Sequence, residues 1–286
     1  GRATGARAAK PAAPEGVQGR DLGRSLLTAG AFAAVALVVF ALGKAPAAVL
    51  VAGVVAVCAA ELFDALRRAG YQPATLLGLV ACTGIVGAAY WRGDVALPLV
   101  LGLTVIFTLL WYLLGVGRVA STMNVAVSVF AVAYVGLLGS FAALILNFPN
   151  GVGVLIGTIL TVAVNDAAAL FIGSRFGQRP LAPDISPGKT VEGVVGGGLA
   201  GVVASWLVLA VIGVFPWDTG TAVALGLVVA VAAPLGDLCE SMLKRDLGIK
   251  DMGTLLPGHG GLLDRFDALL FALPAVYYLC RLLEVF

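Results

Sequence analysis

The sequence predicts an all-α polytopic membrane protein with about nine transmembrane helices, its N-terminus cytoplasmic and its C-terminus on the opposite side. Three observations predict it. The 286 residues are 60% hydrophobic and only 12% charged, with a mean hydropathy of +1.02, far from the make-up of a soluble domain. The apolar residues fall into runs of roughly 17 to 25, the length an α-helix needs to cross hydrocarbon while satisfying its own backbone. Finally, nine spans from an inside N-terminus place fifteen of the 18 basic residues on the cytoplasmic side and leave only Lys44, Arg92 and Arg281 outside, the bias that orients membrane proteins.

The spans are expected at residues 26–42, 47–63, 73–90, 95–114, 124–146, 152–172, 194–214, 221–239 and 268–283. Before the first, residues 1–23 read as a disordered cytoplasmic tail rich in Ala, Gly and Pro. Ala45-Pro46-Ala47 resembles a signal-peptidase site, but the preceding run is longer than a signal core, so the first span reads as a retained helix. The second is short and ends in Glu61, Asp64, Arg67 and Arg68, which read as a solvated helix end with Asp64 and Arg68 one turn apart. The first five spans carry almost no polar side chains within their apolar stretches. Residues 24–146 therefore form an N-terminal five-helix region, and residues 147–286 a C-terminal four-helix region in which the chemistry resides. Cys58, Cys82, Cys239 and Cys280 lie in or at the spans without metal-type spacing and read as small apolar residues.

The C-terminal region is where polar residues enter the apolar pattern. The sixth span contains Asn165-Asp166, and a carboxylate at membrane depth must face protein, water or a cation. The loop that follows holds Ser186-Pro-Gly-Lys189-Thr190, a hydroxyl, a turn and an ammonium suited to phosphate. It lacks the spacing and preceding strand of a P-loop, and on its own reads as a polar turn. Gly193, Gly197 and Gly201 open the seventh span as a small-residue stripe for close helix packing. Along the eighth, Asp237, Glu240, Ser241 and Lys244 occupy positions i, i+3, i+4 and i+7 and share one face.

Residues 241–267 then put eight charged side chains and the only histidine into an otherwise apolar chain. Gly253 and Pro257-Gly258-His259-Gly260-Gly261 allow backbone amides to approach an anion. Lys244, Arg245, Lys250 and Arg265 can neutralise phosphates, and His259 can donate to one. Asp237 and Asp264 offer the hard oxygen ligands that Mg²⁺ prefers, with substrate and water completing its shell. One histidine without a nearby soft ligand does not make a zinc site.

The run Ser241-x-x-Lys244-Arg245-x4-Lys250-Asp251-x-Gly253-x-x-Leu256-Pro257-x-His259-Gly260-Gly261-x-x-Asp264-Arg265-Phe266-Asp267 resembles the signature of phosphatidate cytidylyltransferases, or CDP-diacylglycerol synthases. Gly236-Asp237-x-x-Glu240-Ser241, Ile185-Ser186-Pro187-x-Lys189-Thr190-x-Glu192-Gly193 and Asn165-Asp166 followed by Gly173 and Phe176-Gly177 resemble its neighbouring motifs. Gln178 stands where that resemblance leads one to expect lysine. The resemblance implies transfer of the cytidylyl group of CTP to phosphatidic acid, with loss of pyrophosphate, at a Mg²⁺ site that can include a second, monovalent cation. Asp237 and Asp264 are then the expected metal ligands, with Asp166, Glu240 and Asp267 as further or supporting ligands. The implied catalytic group is Asp237, Lys244, Arg245, Asp264 and His259. Ser186, Lys189, Thr190, Ser241, Lys250, Gly260, Gly261 and Arg265 are expected to bind substrate. A homodimer in a prokaryotic inner membrane, with its site facing the cytoplasm, is also implied. The rivals are a CTP-dependent polyprenol or phytol kinase and, from another class, an ion or solute transporter, for which no inverted repeat is visible. Nucleic acid is not an expected partner, because the basic residues alternate with carboxylates in short loops.

Overall fold

The structure, a computed structural model, describes residues 30, 34–115, 120–253 and 260–284. Seven described helices are long and apolar enough to cross a membrane. They are α1 (Lys44–Arg68), α2 (Thr75–Arg92), α3 (Ala96–Leu113), α4 (Ser121–Leu146), α5 (Gly151–Phe176), α6 (Val191–Val211) and α7 (Thr219–Asp246), and an eighth helix, α8 (Leu263–Leu282), follows. These correspond to the second through ninth expected spans. Of the first, residues 34–41 are helical, while the rest, with the expected tail, lies outside the described residues.

Helix α1 is longer than its sequence run suggests, at 25 residues. Pro46 sits in its first turn, where a missing amide hydrogen breaks no helical bond. Its C-terminus closes on Gly70, whose φ of +95° is a left-handed conformation suited to glycine. Helix α7 begins with a reciprocal cap in which Thr221 N–H donates to Asp218 Oδ1 at 2.8 Å and Asp218 N–H donates to Thr221 Oγ1 at 2.9 Å. The Thr221 amide and hydroxyl, which both donate to Asp218 Oδ1, hold that carboxyl below the usual carboxylate range. Short π-helical turns interrupt α4 at Val132–Leu137 and α6 at Trp206–Val211.

Helix α8 is the hub. It packs on α7, on the C-terminal part of α4, on α5 and on α1, and buries Leu263, Leu269, Leu270, Leu273 and Val276. Asp264, Arg265 and Asp267 therefore lie inside its first turns, not ahead of it as the apolar run implies. At the other extreme, Leu99, Leu103, Ile106, Phe107 and Leu110 of α3 are exposed. So continuous an apolar face suits hydrocarbon, not water. The chain is an integral membrane protein.

The glycine stripe of α6 packs as its spacing predicts. A Cβ at Gly193 would stand 2.8 Å from the Ala169 carbonyl oxygen, and one at Gly197 would stand 2.6 Å from that of Asn165. Only glycine permits this approach of α6 to α5, which fixes the helix bearing Asn165 and Asp166 against the start of α6. All four cysteines are free thiols, with Cys58, Cys82 and Cys280 buried.

One element departs from the all-helical expectation. Between α5 and α6 the chain forms an antiparallel hairpin of β1 (Pro180–Ala182) and β2 (Ser186–Thr190), pairing Pro180 with Thr190 and Ala182 with Ser186. Ser186–Thr190 is thus a strand, not a turn. The turn lies just before it, where Ile185 N–H donates to the Ala182 carbonyl at 3.1 Å. With Pro187 and Gly188 inside it, β2 lacks the alternating pattern that would betray a strand.

Candidate active site

The hairpin delivers Lys189 to α7. Its ammonium forms an ion pair with Asp237, and the two line a cavity of about 180 Å³ together with Asn165, Asp166, Thr190 and Pro234. Asn165 is 1% exposed. Its Nδ2 donates to Asp166 Oδ1 at 3.1 Å, whereas its buried Oδ1 has no hydrogen-bond partner among the described residues. Pro234 has no amide hydrogen to give the preceding turn, so the α7 ladder is weakened beside the cavity. Ser241 Oγ donates to Asp237 Oδ1 at 3.4 Å and so braces the carboxylate.

Two turns further along α7 lies a second charged group. Lys244 Nζ donates to Glu240 Oε2 and to Asp264 Oδ1, each at 2.8 Å. Glu240 is fully buried. The Asp264 carboxylate also accepts from Met252 N–H at 3.0 Å and Gly261 N–H at 2.8 Å, so it fastens the two described ends of the signature loop together. Asp267 accepts from the Ala268 amide at 2.7 Å and faces Glu240. Gly236 lets α7 and α8 meet here, since a Cβ would stand 2.6 Å from the Asp267 carbonyl oxygen.

The structure therefore divides the expected constellation. Asp166, Lys189 and Asp237 face the cavity, while Lys244, Glu240, Asp264 and Asp267 form the buried group beside it. The shared face of Asp237, Glu240, Ser241 and Lys244 on α7 is realised, and it links the two. Among the described residues, no three His, Cys, Asp or Glu side chains converge as cation ligands, so the five expected metal ligands are not gathered around one point. Each of three carboxylates is instead engaged by a lysine.

Several expected substrate contacts have other work. The Thr190 hydroxyl oxygen accepts from Gly193 N–H at 3.1 Å and caps α6. Arg245 is exposed, and its Nε donates to the Ile185 carbonyl at 3.2 Å, tying α7 to the hairpin. Ser186 lies on β2, and Lys250 and Arg265 are exposed. Gly260 has φ +78° and, like Gly261, abuts the Asp264 carboxylate. His259 lies outside the described residues. Gln178 stands where lysine is expected, and its amide and that of Arg179 donate to Glu192 Oε2 at 3.1 and 3.2 Å.

The sequence reading missed one functional neighbour. Glu61, read there as part of a solvated helix end, is 7% exposed and accepts from the amides of Leu262 at 2.9 Å and Leu263 at 2.8 Å. A carboxylate that deep in an otherwise apolar helix was the available signal. Asp64 does keep the expected pairs with Arg67 and Arg68, both at 3.2 Å.

Residues 24–283 match the pattern of the Cytidylyltransferase family. The chain is 32% identical to the phosphatidate cytidylyltransferase of Mycobacterium bovis over 97% of its own length and 95% of that protein. With the phosphatidate cytidylyltransferase of Bacillus subtilis it shares 30% identity over 92% and 98% of the two chains. Identity reaches 45% with the phosphatidate cytidylyltransferase of a Synechocystis strain, over 48% of this chain and 46% of that one.

Proposed function

The chain belongs to the cytidylyltransferase family, and on that footing we propose that it transfers the cytidylyl group of CTP to phosphatidic acid, giving CDP-diacylglycerol and pyrophosphate for phospholipid synthesis. One observation carries the assignment to a site: Lys189 of the hairpin, Asp237 of α7 and Asn165-Asp166 of α5 line one cavity in a chain whose relatives of nearly the same length are phosphatidate cytidylyltransferases.

The chemistry asks little of a general base, because the phosphate of phosphatidic acid is already an anionic nucleophile. Its oxygen forms a bond to the α-phosphorus of CTP, and the bond from that phosphorus to the bridging oxygen of the β-phosphate breaks. The electron pair leaves with pyrophosphate. The protein must bring two polyanions together, hold them in line and neutralise the leaving group, which is catalysis by positioning and electrostatics. Lys189 supplies positive charge at the cavity, while Lys244 and the Asp264-braced loop hold α7 and α8 in register beside it.

A divalent cation fits this donor set. Asp237, Asp166 and Asn165 bring oxygen-bearing side chains to one cavity, and Mg²⁺ typically takes few protein ligands and completes its octahedron with phosphate and water. Bound there, it would neutralise phosphate charge. Asp264, Glu240 and Asp267 sit in the adjoining group and would act on the site through Lys244 and α7. A second, monovalent cation, a homodimer, a prokaryotic inner-membrane location and a cytoplasmic-facing site belong to the same proposal, the last supported by the bias of basic residues.

The test is to incubate the purified protein with radiolabelled CTP, Mg²⁺ and a panel of lipid acceptors. Labelled CDP-diacylglycerol with release of pyrophosphate is the expected result. Release of CDP with phosphorylation of a polyprenol or phytol would establish the kinase instead.

A further inference from the structure

We infer that Glu61, with Arg68 two turns along the same face of α1, is a positioning residue for the reaction. The N-terminal half of the chain would thereby set the geometry of the C-terminal signature. This deepens the proposed function and rests on it.

Helix α8 carries Asp264 and Asp267 yet starts without a cap of its own. Its N-cap is Leu262, with no side-chain hydrogen bond, so its first amides need an outside acceptor. Glu61, about 200 positions away in sequence, accepts from the Leu262 and Leu263 amides, one with each carboxylate oxygen. Its negative charge is also favourably placed at the positive end of the helix. A local Ser or Asp would cap the helix equally well. A cap reaching from another helix does something more, because it fixes where α8 begins relative to α1.

The grip extends to the other end of the loop. Arg68 Nη2 donates to the Met252 carbonyl at 2.6 Å, and its Nε is held by Asp64 Oδ2 at 3.2 Å. Gly253 and Gly261 close around Glu61 without room for a side chain. A Cβ at Gly261 would stand 2.6 Å from Glu61 Oε2, and one at Gly253 would collide with Oε1. On the far side of the same two segments, the Met252 and Gly261 amides donate to Asp264, which holds Lys244. The described ends of the signature loop are thus clamped between a carboxylate of α1 and a carboxylate of α8. Glu61 touches neither the cavity nor its lysine, so any effect on the reaction must pass through this clamp.

The experiment uses the full chain in lipid nanodiscs, with Glu61→Gln, Arg68→Ala and the double variant compared with the unaltered protein, and rates normalised to folded protein. Gln keeps the size of Glu61 but turns an NH₂ group toward an amide donor. Glu61→Gln is expected to lower kcat about 10- to 100-fold, the cost of a small misplacement at a reacting centre, while the KM for CTP stays within about threefold. Hydrogen exchange should accelerate in peptides covering 260–266 and stay unchanged in those covering 75–113. If both residues act through one clamp, the double variant loses less than the product of the single losses. Arg68 is partly exposed, so Arg68→Ala tests the clamp even if Glu61→Gln fails to fold. Unchanged kcat in either folded variant, or strictly multiplicative losses with unaltered exchange, would overturn the inference. The exchange measurement needs no substrate: an unaltered protein that makes no CDP-diacylglycerol removes the proposed reaction, and the exchange pattern still decides whether α1 clamps the loop.

Discussion

Removing the charge of Lys244 should unfold the protein more readily before it says anything about substrate. Lys244 is the cation shared by Glu240, which is fully buried, and Asp264, whose side chain is 9% exposed. Lys244→Met preserves the aliphatic stem and leaves two carboxylates without their counter-charge. Breaking one side of a buried pair costs about 3–5 kcal/mol. The larger share falls on Glu240, because Asp264 keeps its two amide donors whereas Glu240, fully buried, is left facing the Asp267 carboxyl. At about 2–4 °C per kcal/mol for chains approaching this size, the melting temperature should fall by about 6–20 °C. The assay is thermal denaturation in detergent, followed by the fluorescence of the four tryptophans. A second variant sharpens it: Glu240→Gln in the Lys244→Met background removes the stranded charge and should restore about half of the loss. A Lys244→Met protein that melts within about 2 °C of the original, or gains nothing from Glu240→Gln, would refute the claim that Lys244 is held as an internal counter-ion.

Three further outcomes follow from the same geometry. Gly236→Ala pushes a methyl group to 2.6 Å from the Asp267 carbonyl oxygen and 3.1 Å from the Ala268 Cα. It should cost about 1–3 kcal/mol by overpacking and lower turnover with it, measured by melting and by product formation. Thr190→Val deletes the acceptor for the Gly193 amide and should cost about 1 kcal/mol, whereas Thr190→Ser should retain the stability of the original. Chelation of divalent cations should abolish turnover, restored by added Mg²⁺, and Asp237→Asn should raise the Mg²⁺ concentration required for half-maximal rate without shifting the melting temperature by more than a few degrees.

What the sequence made legible was whatever repeats along a single helix. The glycines at 193, 197 and 201 announced a packing seam, and α6 does lie on α5 there. The polar positions 237, 240, 241 and 244 announced one face of α7, and their hydrogen bonds follow it. Partners brought together by tertiary structure were not legible. Lys189 and Asp237 are 48 positions apart, and nothing in either neighbourhood says that a hairpin will deliver one to the other. The hairpin itself is short, with Pro187 and Gly188 in β2, so it offers neither the period nor the propensity of a strand. Glu61 was misassigned for a related reason. Its spacing to Asp64 and Arg68 fits a solvated helix end, and Asp64 and Arg68 do pair that way, but the decisive contact is with amides about 200 residues distant.

The balance of charge in the two groups bears on how such a site receives polyanions. Lys189 and Lys244 stand against Asp166, Asp237, Glu240, Asp264 and Asp267, so with every group ionised the interior carries more negative than positive charge. Arg245, Lys250 and Arg265 are exposed. Water and salt screen them, which suits steering of an anionic ligand more than neutralising it at the reacting phosphorus. A triphosphate cannot settle beside surplus carboxylates unless cations or protons offset them. A divalent cation at Asp237 and Asp166 would supply that offset and make turnover depend on metal. Turnover measured with and without Mg²⁺ tests this, and activity that persists in chelator would decide against the metal.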